Sequence, residues 1–216
     1  AIKVFYNTFI STKLALVNMI QDVAMKTNYM NAEVVCDALA NSTKRIMGPS
    51  YMKPGFGDGG GCHPRDNIAL RVLNKRYNLG YDLFDSIMKA REEQANNMAT
   101  YCNKFDLDVV ICGKSFKPGL KDDPAGSPSM LVGWYIQAQN ANRKVYYDEA
   151  PDGFQTPYVY LIHDKKLVPK TVHPNSVVVD PYRKWKEDHT TVKVKHYGNT
   201  RPDNFSCFED ITKEYE

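Results

Sequence analysis

The chain has 216 residues, 43% hydrophobic and 25% charged, with a formal net charge of +3, which is ordinary for a globular protein and enough for one or two compact domains. Acidic and basic residues are interspersed rather than gathered into a tract, which argues against nucleic acid as a partner but suits an anionic small molecule. No apolar run reaches the length of a membrane span and no charged leader precedes an apolar stretch, so no membrane association is expected and the reducing cytoplasm is the default compartment.

Apolar side chains at Ile2, Phe5, Phe9, Leu14, Leu16, Val17, Ile20 and Val23 recur at roughly helical spacing, uninterrupted by Pro or Gly, which predicts one long helix over 2–27. The pattern is already under way beside Ala1, so the sequence reads as a truncated or processed chain. A second helix is expected over 30–40 with Asn31 as its cap. The stretch 48–61, GPSYMKPGFGDGGG, holds six of the 13 glycines and two prolines and cannot be a regular element. It runs into CHPRDNIALRVL, where Pro64 suits the first turn of a new helix. A further helix is expected over 81–103, through Leu83, Phe84, Ile87, Met88, Ala95, Met98 and Ala99.

The period then changes. VVICG (109–113), VYYDE (145–149), YVYLI (158–162) and SVVVD (176–180) read as strands, and 127–142 as a helix with Ser127 at its cap and Pro128 at its first position. Residues 163–175 have weak helical content, so that crossover is short. Alternating elements with continuously apolar strands predict a parallel sheet. The expected fold class is α/β: an all-helical portion over 1–105, then a small Rossmann-like parallel α/β unit over 106–216.

Five cysteines (Cys36, Cys62, Cys102, Cys112 and Cys207) are scattered without a CxxC pair, against zinc ribbons and a disulfide framework. Cys62 stands apart, following the glycine-rich loop and preceding a helix start whose amides and dipole favour a thiolate. Asp66 lies one turn further on and Arg65 adds a positive charge nearby. The plainer alternative is a small buried residue, the usual state of a free cysteine. Lys3 and Asn7, spaced i, i+4, project from one helix face and could stabilise an oxyanion or hold a water, or be a solvated surface pair. The 55–61 loop could bring amides close to phosphates, though it is neither a Walker A motif nor a GxGxxG that follows a strand. Lys114, Lys117 and Arg183 follow strand ends, where an anion would bind in an open parallel sheet, although loop-tip charges are equally common. The five histidines show no metal-binding or Ser/His/Asp pattern, so no metal is expected.

Taken together, GFGDGGGCHPRD (55–66), KVFYN (3–7), KRIM (44–47), VVICGKSFKPGLKDD (109–123) and VVVDPYR (177–183) resemble, in order, motifs of the UDP-glucose/GDP-mannose dehydrogenase family. The resemblance implies the central and C-terminal domains of a nucleotide-sugar 6-dehydrogenase. Such an enzyme oxidises the C6 alcohol of a UDP- or GDP-linked sugar to a carboxylate through two hydride transfers to NAD, with UDP-glucose to UDP-glucuronate as the expected conversion. It implies that Cys62 attacks the intermediate aldehyde, giving a thiohemiacetal and then a thioester. Lys3 and Asn7 would stabilise oxyanions, each such donor typically contributing roughly 3–4 kcal/mol. Asp66 would act with Lys3 on the hydrolytic water. Tyr51, Lys53, the loop with Gly55, Gly57 and Gly59, Phe116, Lys117 and Arg183 would hold the nucleotide sugar. Arg45 would reach across a homodimer built on the first long helix.

The sequence departs from the family at several points. Its N-terminal NAD-binding domain is not part of this chain, so the chain alone is expected neither to bind NAD nor to turn over. Arg65 stands where lysine is common, and DDPAGSP (122–128) lacks the usual arginine–glutamate before the serine. A non-catalytic nucleotide-sugar-binding or dimerisation module is the alternative in another class. A 3-hydroxyacid or 6-phosphogluconate-type dehydrogenase would share the lysine–xxx–asparagine helix without the cysteine loop.

Overall fold

The computed structural model describes residues 2–27, 29–42, 54–77, 82–116, 123–164, 166–185 and 192–200. Four helices come first: α1 (Ile2–Thr27), α2 (Ala32–Ala40), α3 (Cys62–Tyr77) and α4 (Leu83–Asn103). Then follow β1 (Val109–Cys112), α5 (Pro128–Gln139), β2 (Val145–Tyr147), β3 (Val159–Ile162), β4 (Val177–Val179) and β5 (Lys193–Lys195). The five strands form one parallel sheet in the order β2-β1-β3-β4-β5.

The helix starts follow local chemistry. Asn31 caps α2 by accepting from the Glu33 N–H at 2.9 Å, and Asp82 caps α4 by accepting from that of Asp85 at 2.9 Å. Arg71 of α3 pairs with both Asp82 (3.2 Å) and Asp85 (2.9 Å), fixing the α3–α4 corner. Ser127 occupies the cap position of α5, but its hydroxyl meets that of Ser129 instead of a backbone amide, and the helix ends at Gln139 rather than at 142.

One point of the α1 pattern is corrected. Phe9 and Leu16 are exposed, whereas Ser11, Asn18 and Gln21 are buried. The inward face of α1 lies against the glycine-rich loop, whose peptide groups need hydrogen-bonding partners once removed from water. Val17, Ile20 and Ala24 form a separate apolar patch with Ala32 and Cys36 of α2.

The sheet behaves as a parallel sheet should at its centre, where every residue of β1, β3 and β4 is buried. One face packs on α4 and α5, with Ala95, Met98, Ala99, Cys102, Val132 and Ile136 meeting Val109, Ile111, Val159, Leu161, Val177 and Val179. On the other face Val110, Cys112, Tyr160, Ile162 and Val178 meet Ala150, Tyr158, Val172 and Trp185. The strand β5 was not expected: KVK offers one apolar residue between two lysines, and its place at the sheet edge lets Lys193 stay exposed.

Candidate active site

The helix α3 begins at Cys62 itself, one residue earlier than expected, so the thiol sits in its first turn among amides that have no intrahelical partner. Cys62 is exposed, whereas Cys36, Cys102 and Cys112 are buried; Cys207 lies outside the described residues. Burial pushes the Cys36 thiol up to about 11, with help from Asp37 and Glu33, and pushes Cys102 and Cys112 up to about 12. Those three thiols are therefore inert near neutral pH, and Cys62 is the accessible one among the described cysteines.

One turn below Cys62, Asp66 is only 3% exposed. Its Oδ2 accepts from the Asn7 side-chain amide of α1 at 2.6 Å, and its Oδ1 accepts from Arg65 Nε at 2.9 Å. The Asn7 hydrogen bond, the Arg65 guanidinium and the more distant Lys3 ammonium hold the Asp66 carboxyl below the usual carboxylate range, against the opposing effect of burial. Arg65 is engaged mainly by Asp66 and more weakly by Cys62, which raises its already high value. The structure thus brings Asn7 and Asp66 into contact, with Lys3 near enough to act on the same carboxylate and Cys62 one turn away.

The glycine-rich loop is wedged between the helices and the sheet. Asn18 Oδ1 accepts from the Gly55 N–H at 3.1 Å, and Gln21 Nε2 donates to the Gly55 carbonyl at 3.2 Å. From the sheet side, Tyr182 Oη accepts from the Phe56 N–H at 3.2 Å, and the Gly60 N–H donates to the Gly126 carbonyl at 3.0 Å. The Phe56 ring lies edge-on to His163, with centroids 4.6 Å apart, and stacks on Tyr182 at 6.3 Å. A Cβ on Gly59 would lie 2.8 Å from the Phe116 carbonyl oxygen, and Gly60 has φ +82° under the Phe116 ring, so both glycines are required by the close approach. Gly57 has more room, with only the Arg91 side chain near it, at 3.8 Å. This loop is an anchored element rather than a flexible turn.

The other expected residues fall into three groups. Gly55, Gly57, Gly59 and Phe116 gather around the cysteine loop. Arg183, at φ +57°, sends Nη1 to the carbonyls of Asp180 (3.2 Å), Pro181 (3.3 Å) and Tyr197 (2.9 Å) and pairs through Nε with Glu33 at 3.2 Å, tying the end of β4 to α2. Lys114 is drawn to Asp148 at 4.0 Å. Arg45, Tyr51, Lys53 and Lys117 lie outside the described residues. No group of three or more His, Cys, Asp or Glu residues that could hold a metal ion occurs among the described residues.

Sequence reasoning missed Asn18, Gln21 and Tyr182, which hold the loop, and the polar contacts of Ser11, Asp58, His63 and Arg91. The absence of a Ser/His/Asp sequence pattern did not reveal that these side chains converge. The one available signal was Asp58 itself, a charge set among five glycines within 55–61.

The parallel sheet backed by long helices is a fold also found among solved structures. Over 89% of this chain and 49% of the other, the fold matches a UDP-glucose dehydrogenase of Pyrobaculum islandicum with a TM-score of 0.68 and 18% sequence identity. Residues 1–93 match the central domain of the UDP-glucose/GDP-mannose dehydrogenase family. Among curated relatives, it is 27% identical over 150 residues to a UDP-glucose 6-dehydrogenase of Bacillus subtilis, covering 67% of this chain and 33% of that protein. It is 31% identical over 122 residues to a GDP-mannose 6-dehydrogenase of Pseudomonas putida, covering 56% of this chain and 28% of that protein. The chain thus spans about a third of the length of the curated relatives it matches.

Proposed function

We propose that this chain is the substrate-binding and covalent-catalysis portion of a nucleotide-sugar 6-dehydrogenase, with 1–105 carrying the cysteine loop and 106–216 holding the nucleotide. The observation that carries the reading is the Asn7–Asp66 hydrogen bond of 2.6 Å, one turn below an exposed Cys62 at a helix start. Binding alone needs neither an accessible thiol nor an ionised carboxylate beside it.

The Cys62 thiolate adds to the C6 aldehyde of the sugar, forming the C–S bond of a thiohemiacetal. Asn7 has a second amide hydrogen beyond the one given to Asp66, and with the Lys3 ammonium it stabilises the oxyanion. Asp66, held ionised, accepts a proton from the water that hydrolyses the subsequent thioester, and the Cys62 thiolate leaves. NAD is the acceptor for the hydrides lost in the two oxidations. Among the described residues no glycine fingerprint follows a strand and opens a helix. The loop amides of Gly55, Phe56 and Gly60 turn to Asn18, Tyr182 and Gly126, so they make no dinucleotide cradle. The substrate of the reading is a UDP- or GDP-linked sugar, with UDP-glucose to UDP-glucuronate first. A homodimer through α1 belongs to the same proposal and is supported by the exposure of Tyr6, Phe9 and Leu16 on that helix. A cytoplasmic setting is also part of it; no described helix is long and apolar enough to cross a membrane.

The test is turnover of the full-length protein with NAD and a panel of UDP- and GDP-sugars. Two NADH per sugar are expected, with activity abolished in Cys62→Ala; undiminished turnover in that variant would refute the covalent mechanism. Titration of the chain with UDP and GDP tests the substrate assignment, and no binding of either would remove it.

A further inference from the structure

Ser11 is 2% exposed and grips the polypeptide on both sides of Cys62. Its hydroxyl donates to Asp58 Oδ2 at 2.9 Å, four residues before the cysteine, and lies 2.7 Å from His63 Nδ1, one residue after it. Asp58 is itself 6% exposed, and its other oxygen, Oδ1, pairs with Arg91 Nε of α4 at 2.9 Å; His63 Nδ1 lies 3.7 Å from Oδ2. The short segment bearing the thiol is thus pinned to α1 through Ser11 and to α4 through Arg91.

The geometry is not that of a hydrolytic triad. The serine oxygen is buried and stands between the histidine and the carboxylate, so no proton relay leads through the imidazole to a nucleophilic hydroxyl. A carboxylate in an apolar loop carries a desolvation cost that a neutral residue would avoid, and here two separate helices each contribute a donor to offset it. The arrangement fixes the two ends of the six-residue stretch 58–63 that contains Cys62.

We propose that Ser11, Asp58 and Arg91 are positioning residues for Cys62: through the Asp58 carboxylate and His63 they fix the segment that bears the thiol at the start of α3. The inference rests on Cys62 being the reactive thiol of the proposed reaction. The charged groups around that thiol are Arg65 and Asp66 of α3 with Lys3 of α1, and on the pinning side Asp58, His63 and Arg91. With the pin removed, the segment 58–63 is held less firmly, and the thiol is presented to an electrophile in fewer productive orientations.

The experiment is carbamidomethylation of Cys62 by iodoacetamide in the 216-residue chain, followed by mass spectrometry across a pH series, for the parent, Asp58→Asn and Ser11→Ala. It needs no turnover, so it is decided separately from the dehydrogenase assay. Asp58→Asn keeps the shape but leaves Arg91 only its longer pairing with Glu92 at 3.5 Å, and is expected to slow alkylation near neutral pH about tenfold. Ser11→Ala removes one neutral hydrogen bond and is expected to slow it about threefold. Both should slow alkylation at every pH of the series while Cys36, Cys102 and Cys112 stay protected. Parental rates in both variants would overturn the proposal. Should Asp58→Asn expose the buried cysteines, Ser11→Ala decides alone by the same criterion.

Discussion

Asn7 and Asp66 are 59 residues apart in sequence and 2.6 Å apart in space, the amide of one long helix donating to a carboxylate one turn into another. The contact couples the helix that carries Lys3 to the helix that Cys62 begins. Asn7→Ala removes both the principal donor to Asp66 and, in the proposed mechanism, one oxyanion ligand. In the full-length protein kcat is expected to fall about a hundredfold, with the KM for the nucleotide sugar nearly unchanged; steady-state NADH formation measures both.

Tyr182 joins the sheet to the glycine loop. Asp180, at the end of β4, accepts from the amides of Tyr182 (2.9 Å) and Trp185 (2.6 Å), and this turn aims the phenol at Phe56. Tyr182→Phe keeps the ring stack but leaves the Phe56 N–H without its partner, which is expected to cost about 1–2 kcal/mol. Urea denaturation of parent and variant reads this as a lower midpoint at constant slope.

Gly59→Ala tests the approach of the loop to Phe116. The new Cβ would lie 2.8 Å from a backbone carbonyl oxygen and 3.3 Å from Phe116 Cβ and Pro128 Cδ, none of them the end of a flexible chain. A loss of roughly 1–3 kcal/mol is expected, together with weaker UDP binding by calorimetry, because Phe116 is displaced.

His163 is 6% exposed, and burial lowers its pKa from the ordinary 6.5 despite its hydrogen bond to the Gly113 carbonyl. The folded chain therefore takes up this proton less readily than the unfolded one. Below about pH 6.5 the unfolded state binds more protons, so stability decreases as pH falls through that value toward the lower folded pKa. Thermal melts between about pH 8 and pH 5 should show this decline, and it should be shallower in His163→Asn, whose amide can still donate to Gly113 but does not titrate.

Much of this was legible in the sequence because it is local. The i, i+4 spacings of Lys3 with Asn7 and of Cys62 with Asp66 fix side-chain directions once each segment is helical, and β1, β3 and β4 announce themselves as unbroken apolar runs. What stayed hidden is long-range. Tyr182 meets Phe56 across 126 residues and Ser11 meets Asp58 across 47, and no periodicity encodes either meeting. Ser11, Asn18 and Gln21 lie outside the apolar pattern read on α1; they face inward because they bond the glycine-rich loop. The edge strand β5 was lost for the opposite reason, its lysines masking a segment that needs only one buried neighbour.

The helix α4 gives Arg91 to the cysteine loop near its middle and Met98, Ala99 and Cys102 to the sheet near its end. A rod held at two places along its length transmits loosening from one to the other. Fluctuations that part α4 from β1 and β3 release Arg91 as well, so slow hydrogen exchange in the sheet and slow exchange in the loop should vanish at the same free energy of opening. The reactivity of a single surface thiol would then report on the cohesion of a sheet that it does not touch.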